Sequence, residues 1–441
     1  MFAIQFLQQP AAMTTAAAYR DAIECAVQRE VVPFLARGRA NLVVFDEDSG
    51  LEALAIGPRA AAARRLLRAG VAACAGKSFP CATLATLTAL NGGYKRALQY
   101  LEGLFPSLGG ELGRSFVAAT DTFVRVFMAT MATVARRYGV YVVASNTQAP
   151  FKLTRNQAAV VALRDPATPG VNSVYAPTAG VAYDQTFLWG PRDVRPGPAP
   201  LANLLTVNRK VPLTSFELVL GFATGPTTGP AAINNLRPFT IPGTGARLGF
   251  ATSLPAFTYG PTGHPCADVA VTYMRCLDHL GANVVIQADA NDGEWTGNDG
   301  SELWQPLSWM GSAYRAVSDP TVHFDYAVNP FLVGNLSDTP FDGQSAILQR
   351  GLRGRGCHYV GNGAVVPGDD LPVDRAYAGS KSQFLALAPW VVPDGPRSAL
   401  RKVGAALAAG SGGYQYVRTA VIADLPFPLD RARRGCEVAG R

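Results

Sequence analysis

Short apolar runs alternate with helical periodicities along most of the chain. The run "FAIQFL" (2–7) predicts a strand, the apolar spacing over 18–38 predicts a helix, and "ANLVVFDED" (40–48) predicts a second strand that ends in acids. The order recurs when a long helical pattern at 115–139, ending in a glycine, feeds the strand "VYVVASN" (140–146). These units predict strands joined by helices.

The second half of the chain repeats this alternation. The helical pattern at 268–281 precedes an apolar run at 282–291, and "VHFDYAVNPFLVGN" (322–335) predicts a later strand. Two further runs, at 171–178 and 184–191, are separated by Gly and predict a hairpin. Alternating strands and helices with an added hairpin predict a layered α/β architecture with mixed sheets.

The periodicity fades at 351–414, a stretch rich in Gly, Pro and Asp, and returns with a β pattern at 416–428. We therefore predict one domain over 1–428, with an irregular insertion at about 351–414 and a C-terminal tail at 429–441. The strand at 416–428 is expected to close the sheet. No repeat of solenoid type is visible.

Composition narrows the function classes. Of the 441 residues, 48% are hydrophobic and 16% are charged, which is enough apolar content for a large core. The net charge of +7 is scattered along the chain, so we expect neither a nucleic-acid partner nor a membrane surface. The first residues show no secretory pattern. Seven cysteines without a CxxC pair are typical of free thiols in a reducing compartment, and a soluble cytoplasmic protein is predicted.

Three polar residues follow apolar strands and are candidates for chemistry. Glu47 follows "LVVFD", Lys210 follows "LLTVNR" and Ser253 follows "GFAT". Strand ends are where α/β folds assemble sites, although a charged residue there is more often simply solvated. The four histidines form no metal motif, and no phosphate-binding loop is present, so no metal or cofactor is expected.

The order and surroundings of these residues resemble the carbon–nitrogen hydrolase (nitrilase) family, whose sites combine Glu, Lys and Cys in that order. "LVVFDE", "RKVPLTSFE", "FDGQSAIL" and "TAVIADLPF" are similar to family segments and span nearly the whole chain. The resemblance implies that Glu47 is the general base, Lys210 stabilises an oxyanion and Glu217 supports the lysine. Asp46 stands where the family has proline.

The resemblance leaves two candidate nucleophiles. Aligned on the strand "GFATS", Ser253 takes the place of the family's cysteine. Aligned on the following helix, Cys266 fits instead, because it lies 15 residues before Gly281 and "CAD" copies the family's Cys-x-Asp. Both alignments hold if residues 254–265 are an insertion. A thiol is the better intrinsic nucleophile, so the choice matters for reactivity.

The resemblance further implies a four-layer α-β-β-α sandwich of two mixed sheets and a homodimer or higher homo-oligomer. The expected function is hydrolysis of a non-peptide carbon–nitrogen bond in a small amide or nitrile, through a covalent acyl-enzyme. A non-catalytic binding or scaffold protein and an amide-forming acyltransferase are the alternatives. Asp289 and Trp295, near the strand after the nucleophile region, are predicted to bind substrate, with a core role for Trp295 equally open.

Overall fold

Two β-sheets contain most of the strands in the computed structural model of this protein. The structure describes residues 1–69, 81–168, 171–293, 295, 297, 305–336, 339–351, 382–392, 402–403, 406–407 and 415–429. The strands are β1 (Phe2–Leu7), β2 (Leu42–Val44), β3 (Tyr141–Gln148), β4 (Phe151–Thr154), β5 (Val174–Pro177), β6 (Tyr183–Trp189), β7 (Leu204–Arg209), β8 (Phe239–Thr240), β9 (Arg247–Phe250), β10 (Val284–Ile286), β11 (Tyr326–Asn329), β12 (Leu332–Leu336), β13 (Thr339–Phe341), β14 (Ala346–Gln349), β15 (Gln383–Leu387), β16 (Val391–Val392), β17 (Gln415–Tyr416) and β18 (Thr419–Ile422).

The α-helices lie between these strands in the chain. They are α1 (Ala16–Glu30), α2 (Ala61–Ala69), α3 (Cys81–Gly93), α4 (Lys95–Glu102), α5 (Arg114–Ala118), α6 (Thr120–Phe123), α7 (Ala129–Tyr138), α8 (Gln157–Leu163), α9 (Ala199–Ala202), α10 (Ser215–Val219), α11 (Gly229–Leu236), α12 (Val269–His279) and α13 (Gln305–Ser318). The predicted stop after α7 is confirmed, because Gly139 caps it in the left-handed conformation.

The larger sheet has eight strands and mixed directions. Its strand order is β13-β12-β1-β2-β3-β6-β7, and β18 also pairs with β1. Strands β12, β1, β2 and β3 run parallel, whereas β6, β7, β13 and β18 pair with their neighbours in antiparallel fashion. The predicted return of the chain to the sheet near its end is confirmed by the β1–β18 pairing.

The smaller sheet has six strands in the order β15-β14-β11-β10-β9-β8. Its three central strands, β9, β10 and β11, are parallel, and the outer ones are antiparallel. The strand after which Ser253 lies is therefore at the parallel centre of this sheet. The carboxyl ends of parallel strands are where α/β proteins place their sites.

Buried apolar side chains form separate clusters on the faces of these sheets. One cluster joins residues of both sheets, including Leu188 of β6 and Ile286 of β10. A second packs α1 and α7 against the larger sheet, and a third packs α12 and α13 against the smaller one. The predicted α/β architecture with mixed sheets is confirmed.

Two details of the predicted strands were wrong. The runs at 171–178 and 184–191 do not pair with each other, because β6 has β3 and β7 on its two sides and β5 pairs with β4 instead. The run at 322–335 is not one strand. Pro330, which lacks the N–H that a ladder needs, separates β11 in the smaller sheet from β12 in the larger sheet.

The predicted irregular insertion at 351–414 and the tail at 429–441 fall for the most part outside the described residues. Within that range the structure describes two strands, β15 and β16, so this part of the predicted insertion is regular. No helix in the described part of the chain combines the length and the apolar character needed to cross a bilayer.

The side chain of Gln5 forms hydrogen bonds that connect three other segments to β1. Its Nε2 donates to the carbonyl oxygens of Pro389 and Val417, at 2.9 and 2.8 Å, and its Oε1 accepts from the Ser345 amide at 2.8 Å. Gln5 is fully buried, so its side-chain amide depends on these backbone groups for its hydrogen bonds.

We therefore expect Gln5→Leu to lower the free energy of unfolding by about 3 kcal/mol. The substitution leaves several polar groups without a hydrogen-bond partner, at about 1–3 kcal/mol each. Urea unfolding followed by circular dichroism measures the change. Gln99→Leu, at an exposed position of α4, is the control and should change stability little. Equal changes in the free energy of unfolding for the two substitutions would contradict the stabilising role of the Gln5 hydrogen bonds.

Candidate active site

The ammonium group of Lys210 lies at the centre of a buried charged cluster. Lys210 directly follows β7, and its backbone N–H donates to the Asp184 carbonyl of β6 at 2.9 Å. Its Nζ is 2.5 Å from Glu47 Oε1, 2.9 Å from Glu217 Oε2 and 3.6 Å from Asp184 Oδ2. All four residues are less than 9% exposed. We refer to these four residues as the Lys210 cluster.

Glu47 connects the two sheets. It follows β2 of the larger sheet, and its Oε2 accepts a hydrogen bond at 3.0 Å from the backbone N–H of Ala290, which follows β10 of the smaller sheet. Burial raises the pKa of Glu47, against the lowering effect of the nearby Lys210 ammonium. A carboxylate with a raised pKa is a better proton acceptor than an ordinary glutamate.

Glu217 is held in place by the start of a helix. It is the third residue of α10, and its Oε2 accepts from Thr214 N at 2.7 Å and from Thr214 Oγ1 at 2.8 Å, which completes a capping box. Burial acts to raise the pKa of Glu217, but Lys210 and these hydrogen bonds outweigh it and lower the pKa. Glu217 is therefore the firmly ionised partner of Lys210.

The fourth member of the Lys210 cluster, Asp184, was not predicted from the sequence. It lies near the start of β6 and is 2% exposed. Burial raises its pKa well above the ordinary aspartate value, although Lys210 acts to lower it. The signal in the sequence is a single acid within the run "YDQTFLW", where an apolar or neutral residue is expected.

The three carboxylates of the Lys210 cluster have the spacing of a metal site. Their nearest oxygens all lie within 4.8 Å of one another. The Lys210 ammonium contacts each of them, however, and supplies the positive charge that an ion would otherwise bring. The set therefore functions as a carboxylate–ammonium cluster.

Ser253 has an unusual backbone conformation. Its φ of 58° and ψ of −122° make it the one non-glycine residue with positive φ among the residues that the structure describes. Such a conformation costs about 1–3 kcal/mol and is concentrated at functional sites. Ser253 is 1% exposed and begins a short 3-10 helix at Leu254–Phe257.

Hydrogen bonds connect the strand end that carries Ser253 to two neighbouring segments. Its N–H donates at 3.0 Å to the carbonyl of Ala288, two residues before the Ala290 that binds Glu47. The preceding residue, Thr252, has its Oγ1 at 2.6 Å from Thr186 Oγ1, on the same strand as Asp184. The predicted Glu47, Lys210 and Glu217 thus come together in the Lys210 cluster. The strand end with Ser253 is hydrogen-bonded to the segments that contain Asp184 and Ala290.

The expectation that Cys266 has a free thiol is wrong in this structure. Cys266 forms a disulfide with Cys276 of α12. Cys81 is also disulfide-bonded, and Cys25 is the one free cysteine in the described part of the chain. The general prediction of free thiols fails because pairing depends on distances that the fold sets. A sulfur bound in a disulfide is not a thiolate nucleophile.

The two residues that were predicted to bind substrate are both buried, and their side chains contact other residues of the protein. Trp295 is 2% exposed, packs edge-on against Phe331 and donates its Nε1–H to Gln344, so the structure places it in the core. Asp289 accepts from Gln287 and Asn329, each at 2.8 Å, through Oδ2. Its Oδ1 has no donor among the described residues.

Further buried acids surround Glu47 and were not predicted. Burial raises the pKa of Asp48 to about 8 and that of Glu52 to about 7, and it raises the pKa of Asp46 well above its ordinary range. Glu52 accepts a hydrogen bond from the Gln9 amide, and its other oxygen has no donor in the described region. The surroundings of Glu47 therefore disfavour additional negative charge.

Comparison with known proteins gives structural matches only. No family model and no curated protein matches the chain. The solved structures that resemble it include amidases and a carbon–nitrogen hydrolase. They include an amidase from Nesterenkonia sp., at 12% identity and a TM-score of 0.39, covering 79% of this chain and 82% of that one. A carbon–nitrogen hydrolase from Helicobacter pylori G27 has the same identity, coverage and TM-score.

A third match is a cysteine-to-serine mutant of the Nesterenkonia AN1 amidase, described as belonging to the nitrilase superfamily. Its identity is 14% and its TM-score is 0.31, with 59% of this chain and 76% of that one covered.

The raised pKa of Glu52 predicts a pH-dependent stability. The pKa of Glu52 in the folded protein, about 7, lies above the ordinary 4.5. The contribution of Glu52 to the free energy of unfolding is therefore complete at low pH and is lost as pH rises from about 4.5 to 7. We expect Glu52→Gln to remove roughly 3 kcal/mol of this pH dependence, since each pKa unit corresponds to about 1.4 kcal/mol.

Urea unfolding of both proteins at pH 4 and pH 8 measures the difference. The variant should gain stability relative to the native protein between these pH values. Glu111→Gln, at an exposed acid, is the control and should follow the native protein at both. A Glu52→Gln curve parallel to that of the native protein would show that folding does not raise the pKa of Glu52.

Proposed function

We propose that this protein is a divergent member of the carbon–nitrogen hydrolase (nitrilase) superfamily that hydrolyses a small amide through a covalent acyl-enzyme on Ser253. The observation that carries the proposal is the buried Lys210 ammonium, held between Glu47 and Glu217. The strained backbone of Ser253, which follows β9, supports it. A nitrile is the second substrate class that this arrangement fits. A homodimer or higher oligomer stays a prediction.

The proposed architecture is a four-layer α-β-β-α sandwich over residues 1–428. The distribution of buried apolar clusters supports it, because one cluster joins the two sheets and the other two join each sheet to its own helices. In this arrangement the Lys210 cluster lies where the carboxyl ends of the parallel strands of both sheets meet.

In the acylation step, Ser253 Oγ attacks the amide carbonyl carbon while its proton passes to Glu47. The carbonyl π electrons move to the oxygen, which becomes an oxyanion. Lys210 Nζ has three N–H groups, of which two are directed at Glu47 and Glu217, whereas the contact with Asp184 is a long 3.6 Å. The third N–H can therefore bind the oxyanion.

The tetrahedral intermediate then collapses. The C–N bond breaks, and Glu47 returns its proton to the leaving nitrogen, so that an amine or ammonia is released. A water molecule next attacks the ester, with Glu47 accepting its proton, and the Ser253 oxygen leaves as the carboxylic acid forms. Glu47 gives that proton back to Ser253, which restores the resting site.

Serine requires a stronger base than cysteine does, because a hydroxyl is far less acidic than a thiol. The raised pKa of Glu47 meets this requirement in part. The unusual backbone conformation of Ser253 sets the direction of its Cα–Cβ bond. A preset direction of the nucleophile lowers the entropy cost of the attack.

The decisive experiment is covalent labelling of Ser253 with phenylmethanesulfonyl fluoride. We expect one sulfonyl group per chain, located at Ser253 by peptide mass mapping, with loss of fluoride and of the hydroxyl proton. Ser253→Ala should abolish the label and lower kcat/KM for ammonia release from a panel of small amides by at least about 10³-fold.

Ser215→Ala is the matched control, since Ser215 is an exposed serine on α10 and should keep both label and turnover. Unchanged labelling or turnover in Ser253→Ala would contradict the proposal. If the native protein shows neither label nor turnover, the non-catalytic binding alternative is supported instead.

The disulfide predicts that Cys266 is dispensable for chemistry. We expect the double substitution Cys266→Ala, Cys276→Ala to retain kcat/KM within about threefold once folding is verified by circular dichroism, because the sulfur takes no part in acyl transfer. Iodoacetamide without reductant should leave Cys266 unmodified in the native protein. Loss of all turnover in a folded double variant would show that a cysteine is the nucleophile.

A further inference from the structure

The three carboxylates of the Lys210 cluster differ in how many donors they have. Glu217 has three, from Lys210 and from the N–H and hydroxyl of Thr214. Glu47 has two, from Lys210 and the Ala290 amide. Asp184 has only the 3.6 Å contact with Lys210, and no donor among the described residues reaches its Oδ1.

The charge of the cluster requires a proton on one of these acids. Three ionised carboxylates around one ammonium would leave a net charge of −2 in a region where every member is less than 9% exposed. Carboxylates that share a buried site do not all ionise, because each charge opposes the next. The proton is held by the acid with the fewest donors to its anionic form, and that acid is Asp184.

We propose that Asp184 is a positioning residue that carries a proton in the resting site and donates it in a hydrogen bond to Glu47, which keeps Glu47 ionised as the base for Ser253. This inference rests on the proposed function of the site. Asp184 does not touch the substrate, and it acts through Glu47.

The electrostatics of the surrounding groups agree with this geometry. Burial raises the pKa of Asp184 against the Lys210 ammonium, and the charges of Glu47, Glu217 and Asp48 raise it further. Burial also raises the pKa of Glu47, and a hydrogen bond with Asp184 is among the contacts that lower it. Lys210, Glu47, Glu217 and Asp48 are the charged groups that act on Asp184 within the described part of the chain.

The arrangement leaves the proton balance of the reaction unchanged. Glu47 takes the proton of Ser253 and passes it to the leaving nitrogen, while the proton of Asp184 stays in place throughout. It also explains why the third N–H of Lys210 remains available for an oxyanion, because a protonated Asp184 does not need it.

Two substitutions of Asp184 separate a proton-donating role from a merely structural one. Asp184→Asn keeps a neutral N–H donor towards Glu47, whereas Asp184→Leu removes the donor at similar size. We expect the pH profile of kcat/KM for amide hydrolysis to keep its acidic limb in Asp184→Asn. In Asp184→Leu that limb should move to higher pH by about one unit, because Glu47 loses a hydrogen bond to its ionised form.

The control pair Asp193→Asn and Asp193→Leu alters an exposed acid and should leave the profile unmoved. If Asp184→Leu lowers turnover equally at all pH values, Asp184 is structural and the proposal fails. An acidic limb that moves equally in Asp184→Asn and Asp184→Leu also overturns it.

Infrared spectroscopy tests the proton without any substrate. We expect the difference spectrum of the native protein minus Asp184→Asn at pH 7 to contain the C=O stretching band of one protonated carboxyl, shifted in D₂O. Absence of this band overturns the assignment of the proton to Asp184, even if amides are hydrolysed. The band without any hydrolysis overturns the proposed function alone. Because Asp184→Asn preserves shape, this measurement decides even if Asp184→Leu does not fold.

Discussion

The structure depends on one buried positive charge. Moving an ammonium and a carboxylate out of water costs several kcal/mol per ion, and their attraction offsets this only when geometry and hydrogen bonding are good. Lys210 meets that condition with short contacts to Glu47 and Glu217. Each carboxylate is in turn fixed by backbone, Glu47 by the Ala290 amide and Glu217 by the start of α10. The charged cluster is thereby tied to both sheets.

The same contacts explain why the site lies where it does. Strands β2 and β7 of the larger sheet carry Glu47 and Lys210 at their ends, and β9 of the smaller sheet precedes Ser253. The hydroxyl pair of Thr186 and Thr252 joins the larger sheet to the smaller one at this point, and the backbone bond from Ser253 to Ala288 joins the ends of β9 and β10 within the smaller sheet. Acyl transfer requires a rigid framework of this kind, because charged groups that are already in place stabilise the transition state without a rearrangement of the site.

Site residues could be predicted from the sequence where a local motif marks them. They could not be predicted where only contacts in the folded chain reveal them. Glu47 and Lys210 were predicted because each follows a strand within a recognisable motif, and Glu217 was predicted because it lies in the same motif as Lys210. Asp184 was missed because it lies within a strand, where only the three-dimensional neighbourhood shows that it faces a lysine. The free thiol at Cys266 was wrong because its partner in α12 approaches only in the folded chain. The break at Pro330 was visible in the sequence, yet the change of sheet that follows it was not.

The central claim is that Ser253 Oγ takes up an acyl group whose carbonyl oxygen is bound by Lys210. A crystal structure of the protein after reaction with p-nitrophenyl acetate at low temperature tests it directly. The account predicts an acetyl group on Ser253 Oγ, with its carbonyl oxygen about 2.7–3.1 Å from Lys210 Nζ. An acetyl group on another residue, or one on Ser253 whose oxygen points away from Lys210, would contradict the account.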